Sequence, residues 1–394
     1  MFIKTLKIRV YPTKEQRDLF DNYFGYSRWC YNNFLELWNI MYTNGDKPNY
    51  RKVRNELKRI YKDLSSLDEY SWIKSYSTQI IDTSGEDVQR AWNNFFNPRM
   101  KSNKPKFKSK KRMNNSFRLY KKNDATFQLL PNNRIHLVKV AIKKQGGLRY
   151  RDKHLVSKIN DGSIQEVTIS KKANRYFASI VVRYGINFNQ QNTNGNICGI
   201  DLGIKNFAIL NNGITVDNPN YHKLYTLERR LAVYQRKLSK KHYTSNNYKR
   251  LRTKIQKCYL DMYNIKHDFL QKFTTYIVRK YQYIGIEGLN VTGLLHNRKL
   301  SHKIYHSLFG TFREFLRYKS EWYGNTLIEA DTFYPSTQLC SQCGYRKVDD
   351  EKLNLSDRTY VCHNCGYIDD RDINAAKNLA RLVNPSINVS PWIR

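Results

Sequence analysis

The chain has 394 residues, 40% hydrophobic and 26% charged, which is enough for two or three domains with a sizeable core and too apolar for a disordered polymer. Its 69 Lys and Arg against 33 Asp and Glu leave a formal net charge of +36. Charge of that size repels itself in a compact fold unless a polyanion neutralises it, so a long stretch of nucleic acid is the expected partner rather than mere solubility.

Residues 2–10 alternate, with Leu6, Ile8 and Val10 on one face and Thr5, Lys7 and Arg9 on the other, the pattern of a half-buried strand. Lys4, Lys7 and Arg9 break the apolar stretch, so it does not read as a signal peptide, and no apolar run approaches the ~20 residues of a membrane span. A cytoplasmic, reducing location is therefore expected. The seven cysteines then read as metal ligands or core rather than disulfides. Pro12, Thr13 and Gln16 resemble a capping box. Phe20, Phe24, Tyr31, Phe34 and Trp38 follow near helical spacing, then Val53, Leu57, Ile60 and Leu64, then Ile80, Ser84, Val88 and Trp92, so 13–97 predicts a helical block. Arg99 to Arg112 holds eight basic residues in fourteen and no acid, a run suited to a phosphate backbone. Strand patterns return at Phe127–Leu130 and Ile135–Ile142, and again at Val167–Ser170 and Tyr176–Val182, each pair separated by a turn signal. The polar stretch Asn187–Asn196 reads as a domain boundary.

Beyond it the character is α/β. Ile197–Ile200, Phe207–Leu210 and Ile214–Val216 predict three short strands. A helical pair follows, with Leu227, Leu231, Tyr234 and Leu238, then Leu251, Ile255 and Tyr259 on its apolar stripes. Eleven basic residues and no acid lie between Arg229 and Lys257. Tyr283–Glu287 is a further strand, Leu308–Tyr318 a helix and Thr326–Ala330 a strand.

Cys340, Cys343, Cys362 and Cys365 form two CxxC pairs, each followed by glycine (Gly344, Gly366). Two such knuckles can present four thiolates to one tetrahedral ion, which makes a closed, structural zinc site. Cys30, Cys198 and Cys258 lack such spacing and read as core. Asp201 and Glu287 each close an apolar strand just before a glycine turn. A carboxylate there is costly unless it is paired or binds metal. A third candidate lies in residues 369–382, where small Ala375 and Ala376 let a helix approach a sheet. Asp372 sits in its first turn, with Asp369 and Asp370 as competitors. Three hard oxygen donors suit a pair of Mg²⁺ ions, which can activate water and stabilise a departing oxygen in phosphodiester hydrolysis. The segment Gly199–Gly203 alone is also compatible with an actin-like ATPase, but no second glycine-rich phosphate loop is found.

Together these residues resemble the TnpB family and its descendants, the compact type V CRISPR effectors. The matching segments are the N-terminal Ile8–Gln16, Gly199–Gly203, Gly285–Leu289, Tyr334–Thr337, the two CxxCG knuckles and Asp370–Ala376, in the family's order. The resemblance implies a multidomain α+β fold. A β-barrel wedge domain (1–12 and 98–186) would hold an inserted helical recognition domain (13–97). A RuvC/RNase H-like α/β nuclease domain (187–338 and 368–394) would follow, with an inserted zinc ribbon (339–367). It implies Asp201, Glu287 and Asp372 as catalytic residues and ligands of two Mg²⁺, with one structural Zn²⁺. The implied activity is RNA-guided cleavage of double-stranded DNA beside a short flanking motif. The partners would be a guide RNA from the transposon end and the target DNA, with the chain monomeric on its RNA. The competing reading is an RNA-guided DNA binder that does not cut; loss of any of the three carboxylates would favour it, and all three are present. A direct transposase would need its own nucleophile, and none stands out.

Overall fold

The structure, a computed structural model, describes residues 2–98, 100, 102–110, 115–142, 146–185, 194–218, 221–290, 308–354 and 356–384. The chain divides into two compact units, 1–186 and 187–394. Among the described residues, no helix is long and apolar enough to cross a membrane.

The first unit opens with Phe2–Tyr11 (β1), whose Leu6, Ile8 and Val10 are buried and whose Lys7 and Arg9 are exposed, as the alternation predicts. Thr13 then caps Lys14–Thr43 (α1). Its hydroxyl accepts the Gln16 N–H at 3.2 Å, while the Gln16 side chain accepts the Thr13 N–H at 3.1 Å, so two otherwise orphaned donors are satisfied reciprocally. Tyr50–Leu64 (α2) and Gln79–Phe96 (α3) complete the helical block. Val53, Leu57 and Tyr61 are buried on α2, whereas Ile60 and Leu64 are only partly covered.

The strands of this unit are Asn115–Tyr120 (β2), Phe127–Leu130 (β3), Arg134–Leu137 (β4), Leu148–Tyr150 (β5), Ser163–Lys172 (β6) and Arg175–Tyr184 (β7), with a short helix Leu155–Ile159 (α4) before β6. With β1 they make one antiparallel sheet in the order β2-β6-β7-β1-β5-β4-β3. It curls into a nearly closed barrel. Both expected hairpins form, turning at Asn132–Asn133 and at Ala173–Asn174, all four residues with positive φ. β4 is shorter than the apolar run 135–142, because Lys139, with φ 58°, turns the chain. Helices and barrel share one core: Phe20, Tyr23 and Phe24 of α1 pack on Phe117 of β2, with ring centroids 4.9 to 5.9 Å apart. Arg118 beside it bonds Glu86, Asp87 and Glu166 at 3.0 to 3.1 Å, tying α3 to the sheet.

Of the basic run 99–112, Arg99, Lys101, Lys111 and Arg112 lie outside the described residues, as do 187–193 of the polar boundary. Lys108 is docked rather than free. Asn32 bonds its backbone at 2.8 and 3.0 Å, and its ammonium sits 3.7 Å over the Tyr31 ring.

The second unit centres on a five-stranded sheet. Its strands are Ile197–Leu202 (β8), Ala208–Leu210 (β9), Thr215–Val216 (β10), Tyr283–Ile286 (β11) and Thr326–Glu329 (β12), in the order β10-β9-β8-β11-β12. The first three form an antiparallel meander; β11 and β12 run parallel to β8. This is the RNase H-like arrangement. Helices Tyr221–Ser239 (α5) and Asn246–Lys280 (α6) link β10 to β11, and Phe309–Tyr323 (α7) precedes β12. On α6, Ile255 of the expected stripe is buried, whereas Tyr259 is half exposed and its neighbour Cys258 is buried instead. Cys30, Cys198 and Cys258 are buried, as expected of core cysteines. The chain then forms the ribbon, with strands Thr359–Val361 (β13) and Ile368–Asp370 (β14), and ends its described part on Arg371–Val383 (α8).

Candidate functional site

The period of two along β8 and β11 sorts their side chains between two faces. Cys198, Ile200, Ile284 and Ile286 join the core formed with Leu270, Phe273 and Phe312 of α6 and α7. Gly199 and Gly285 face the other way, against α8. A Cβ on Gly199 would stand 1.8 Å from the Ala376 carbonyl oxygen, and one on Gly285 would stand 2.0 Å from that of Leu379. Only hydrogen fits at either position.

Asp201 and Glu287 lie two residues further on, so they project from that same α8 face. Ile200 pairs with Ile286 across the parallel strands, which places Asp201 and Glu287 side by side at the strands' carboxyl ends. Asp372 precedes Ala376 by one helical turn, about 6 Å of rise, while Asp201 follows Gly199 by about 6.6 Å of strand. Asp372 is near enough for its charge to act on Asp201. Burial raises the Asp201 carboxyl well above the ordinary carboxylate range, with the charges of Glu287 and then Asp372 adding and Arg371 opposing. Glu287 is pushed up to about 7 by burial. Hard oxygen donors of this kind are the ligand chemistry of a divalent cation.

The neighbouring acids are occupied elsewhere. Asp370 is the N-cap of α8, accepting the N–H groups of Asp372 at 2.9 Å and Ile373 at 3.1 Å. Asp369 accepts from Lys377 at 2.8 Å and from the Tyr367 hydroxyl at 2.5 Å. Asp372 faces Arg371, which donates to it at 2.9 and 3.0 Å.

The four ribbon cysteines converge, with all sulfurs within 4.8 Å of one another; among the described residues they are the one group of three or more metal-ligating side chains gathered in this way, and the three carboxylates are not. Cys340 and Cys365 sulfurs are 3.7 Å apart, Cys343 and Cys362 sulfurs 3.6 Å. A tetrahedral ion with metal–sulfur bonds of about 2.3 Å sets its sulfurs about 3.8 Å apart, so the cluster has the dimensions of a zinc tetrathiolate. The two knuckles repeat one pattern. Cys340 N–H donates to Tyr345 and Gly344 N–H to Cys340; Cys362 N–H donates to Tyr367 and Gly366 N–H to Cys362. The Tyr345 backbone N–H and the Asn364 amide bring the Cys343 thiol down to about 6, which favours the thiolate a metal needs.

Sequence reading missed the clamp between these two sites. Asn374, Asn378 and Arg381 fall at i, i+4 and i+7 on α8, opposite the face that meets the glycines. Asn374 donates to Leu339 O at 2.7 Å and accepts Ser341 N–H at 3.0 Å. Asn378 donates to Ser336 O and Leu339 O, and Arg381 to Cys340 O and Ser341 O. The i, i+4 spacing of two asparagines beside the apolar stripe of this helix was the available signal.

A RuvC-like sheet with acids at its strand ends, a tetracysteine ribbon locked to the helix beneath them, and a barrel with helices ahead of both define a nuclease-fold chain with a zinc-ribbon insertion. Family models match in three places: "Probable transposase" over 168–298, "Cas12f1-like, TNB domain" over 309–379 and "Helix-turn-helix domain" over 1–47. The last falls here on β1 and one continuous helix, α1. A "Putative RNA-guided DNA endonuclease" of Streptomyces pristinaespiralis is 31% identical over 95% of this chain and 88% of that protein. The chain belongs to the TnpB family. "Putative RNA-guided DNA endonuclease InsQ" of Escherichia coli K12 is 27% identical over 96% of this chain and 91% of that protein. The fold matches the protein in a solved Cas12f1–sgRNA–target DNA complex with a TM-score of 0.56, at 13% identity, over 98% of this chain and 99% of that one.

Proposed function

We propose that this chain is an RNA-guided DNA endonuclease that cuts double-stranded DNA beside a short flanking motif, using a guide RNA transcribed from its own element's end. The reading is supported by the register that puts Asp201 and Glu287 at the ends of paired parallel strands and by the charges of Glu287 and Asp372 acting on Asp201. The formal charge of +36 supplies the affinity for phosphate that both an RNA and a DNA partner require. The relatives' names supply the guidance by RNA.

In this reading the three carboxylates hold two Mg²⁺, and the four ribbon cysteines hold one structural Zn²⁺. Bound magnesium would offset the charge of the scissile phosphate and lower the pKa of the attacking water. The chain's own part is placement. β8 and β11 fix two carboxylates by their register, and α8, seated on Gly199 and Gly285, fixes the third. Arg371 holds the Asp372 charge in the absence of metal.

The test is plasmid cleavage by the full chain with its guide RNA and Mg²⁺, beside a target-binding assay. Asp201→Ala, Glu287→Ala and Asp372→Ala should each abolish cutting and leave target binding intact, because guide pairing and backbone contacts carry binding. If all three cut like wild type, the site is elsewhere; if wild type binds its target and never cuts, the chain is a guided binder.

A further inference from the structure

Unit 1 carries a cavity of about 520 Å³ beside α1, within the size range of small-ligand sites. Part of its wall is aromatic. The Tyr26 and Tyr76 rings stack at 4.4 Å, Trp29 lies 6.0 Å beyond Tyr26, and Trp72 stands edge-on to Trp29 at 5.3 Å with 40% of its surface exposed. Arg28 and Lys110 border it. Asp21, an acid at the rim, is already neutralised by Lys171, which donates to both its oxygens at 2.8 Å.

Gly25, inside the 30-residue helix α1, also lines the cavity. A glycine in a helix interior costs about 1 kcal/mol relative to alanine, so it needs a reason. Gly85, inside α3, has one: a Cβ there would lie 2.3 Å from the Phe34 ring. Gly25 has no such reason in the fold. Beyond its chain neighbours and its own helix backbone, the nearest atom to its Cβ position among the described residues is an Arg28 guanidinium nitrogen at 3.9 Å, ordinary contact distance. A helix glycine that the protein's own packing does not require, between aromatic rings and cations, marks where another molecule approaches the backbone.

We propose that this cavity binds one unstacked nucleotide of a single-stranded nucleic acid, its base against Trp72 and its neighbouring rings and its phosphate facing Arg28 and Lys110. Flat rings beside guanidinium and ammonium groups are the chemistry that captures a base and its phosphate together. The site rests on the nucleic-acid part of the reading above and is independent of cleavage. Guide RNA and a displaced DNA strand offer the same chemistry, so both sources are tested.

The assay is binding of labelled oligouridine and oligothymidine to the full chain without added divalent cation, together with thermal melting of the free protein. Gly25→Ala should raise the melting temperature by about 2–4 °C, because its methyl meets open space and restores helix propensity. The same substitution should weaken binding about tenfold, because the methyl occupies the ligand's place. Trp72→Ala should weaken binding by about fivefold or more, and Trp72→Phe should restore most of it. Irradiation of the bound strand should crosslink the peptide that carries Trp72 and Tyr76. The strand more affected by Gly25→Ala identifies the natural source. Unchanged affinity for both strands in Gly25→Ala, a fall in its melting temperature, or crosslinks confined to other peptides would overturn the proposal. No cutting occurs in this assay, so a failure of the nuclease reading leaves its outcome untouched.

Discussion

Gly199 on β8 meets Ala376 on α8 so closely that a Cβ on the glycine would stand 1.8 Å from the Ala376 carbonyl oxygen. The contact is backbone against backbone, so neither side can yield by rotating a side chain. It sets the height of α8 on the sheet and with it the distance from Asp372 to Asp201. Gly199→Ala should therefore cost about 3 kcal/mol of stability and abolish cleavage even in the folded fraction. Urea unfolding and plasmid cleavage measured on the same preparation check this; wild-type stability would mean that α8 sits elsewhere.

The three acids around the start of α8 should separate by phenotype. Asp370→Ala removes an N-cap and should lower stability by about 1 kcal/mol while retaining cleavage. Asp372→Ala should lose cleavage without that loss of stability, and Asp372→Asn should fail nearly as badly, since an amide cannot offset metal charge. Melting curves and cleavage rates for the set decide it. A dead Asp370→Ala beside an active Asp372→Ala would reverse the assignment.

The ribbon should bind one zinc per chain, lost in Cys362→Ser. Asn374→Ala leaves all four thiols in place, so zinc content should stay near wild type. It frees the Ser341 N–H and leaves the Leu339 carbonyl to Asn378 alone, at a cost of about 1–3 kcal/mol, and should slow cleavage by loosening the seat of Asp372. Elemental analysis beside cleavage rates separates the two effects. Zinc loss in Asn374→Ala would show that the asparagine serves the ribbon rather than the link.

Stability without divalent cation should depend on pH through the carboxylate site. Glu287 is raised from 4.5 to about 7 by burial, and Asp201 is raised by burial with Glu287 and Asp372 adding. The folded chain thus keeps protons that the unfolded chain releases. Stability from these groups is fully present below the ordinary carboxylate values and is lost as pH rises through about 7. Mg²⁺ must displace the same protons, so its affinity should rise over that window. Thermal melts and Mg²⁺ calorimetry across the range test both slopes, and Glu287→Gln should flatten them. An affinity independent of pH would place the metal elsewhere.

Much of this was legible in the residues because it is local. Alternation at Leu6, Ile8 and Val10, the Thr13–Gln16 cap, the apolar spacing through α1 and α3, and two CxxC-Gly knuckles each depend on neighbours a few positions away. A strand-end acid before a glycine is equally local, so Asp201 and Glu287 stood out. Their neighbours on the sheet did not. Asp372 could not be separated from Asp369 and Asp370 by pattern, because what distinguishes them is where α8 lies on β8, across about 170 residues of intervening chain. The sorting of α8 into a face seated on two glycines and a face clamped to the ribbon likewise exists only once sheet, helix and ribbon pack. Gly25 makes the same point from the other side: in sequence it is one more helix glycine, and only the space around its missing Cβ separates it from Gly85. Period and caps fix which elements form; hard-core packing between distant backbones decides which of their side chains meet.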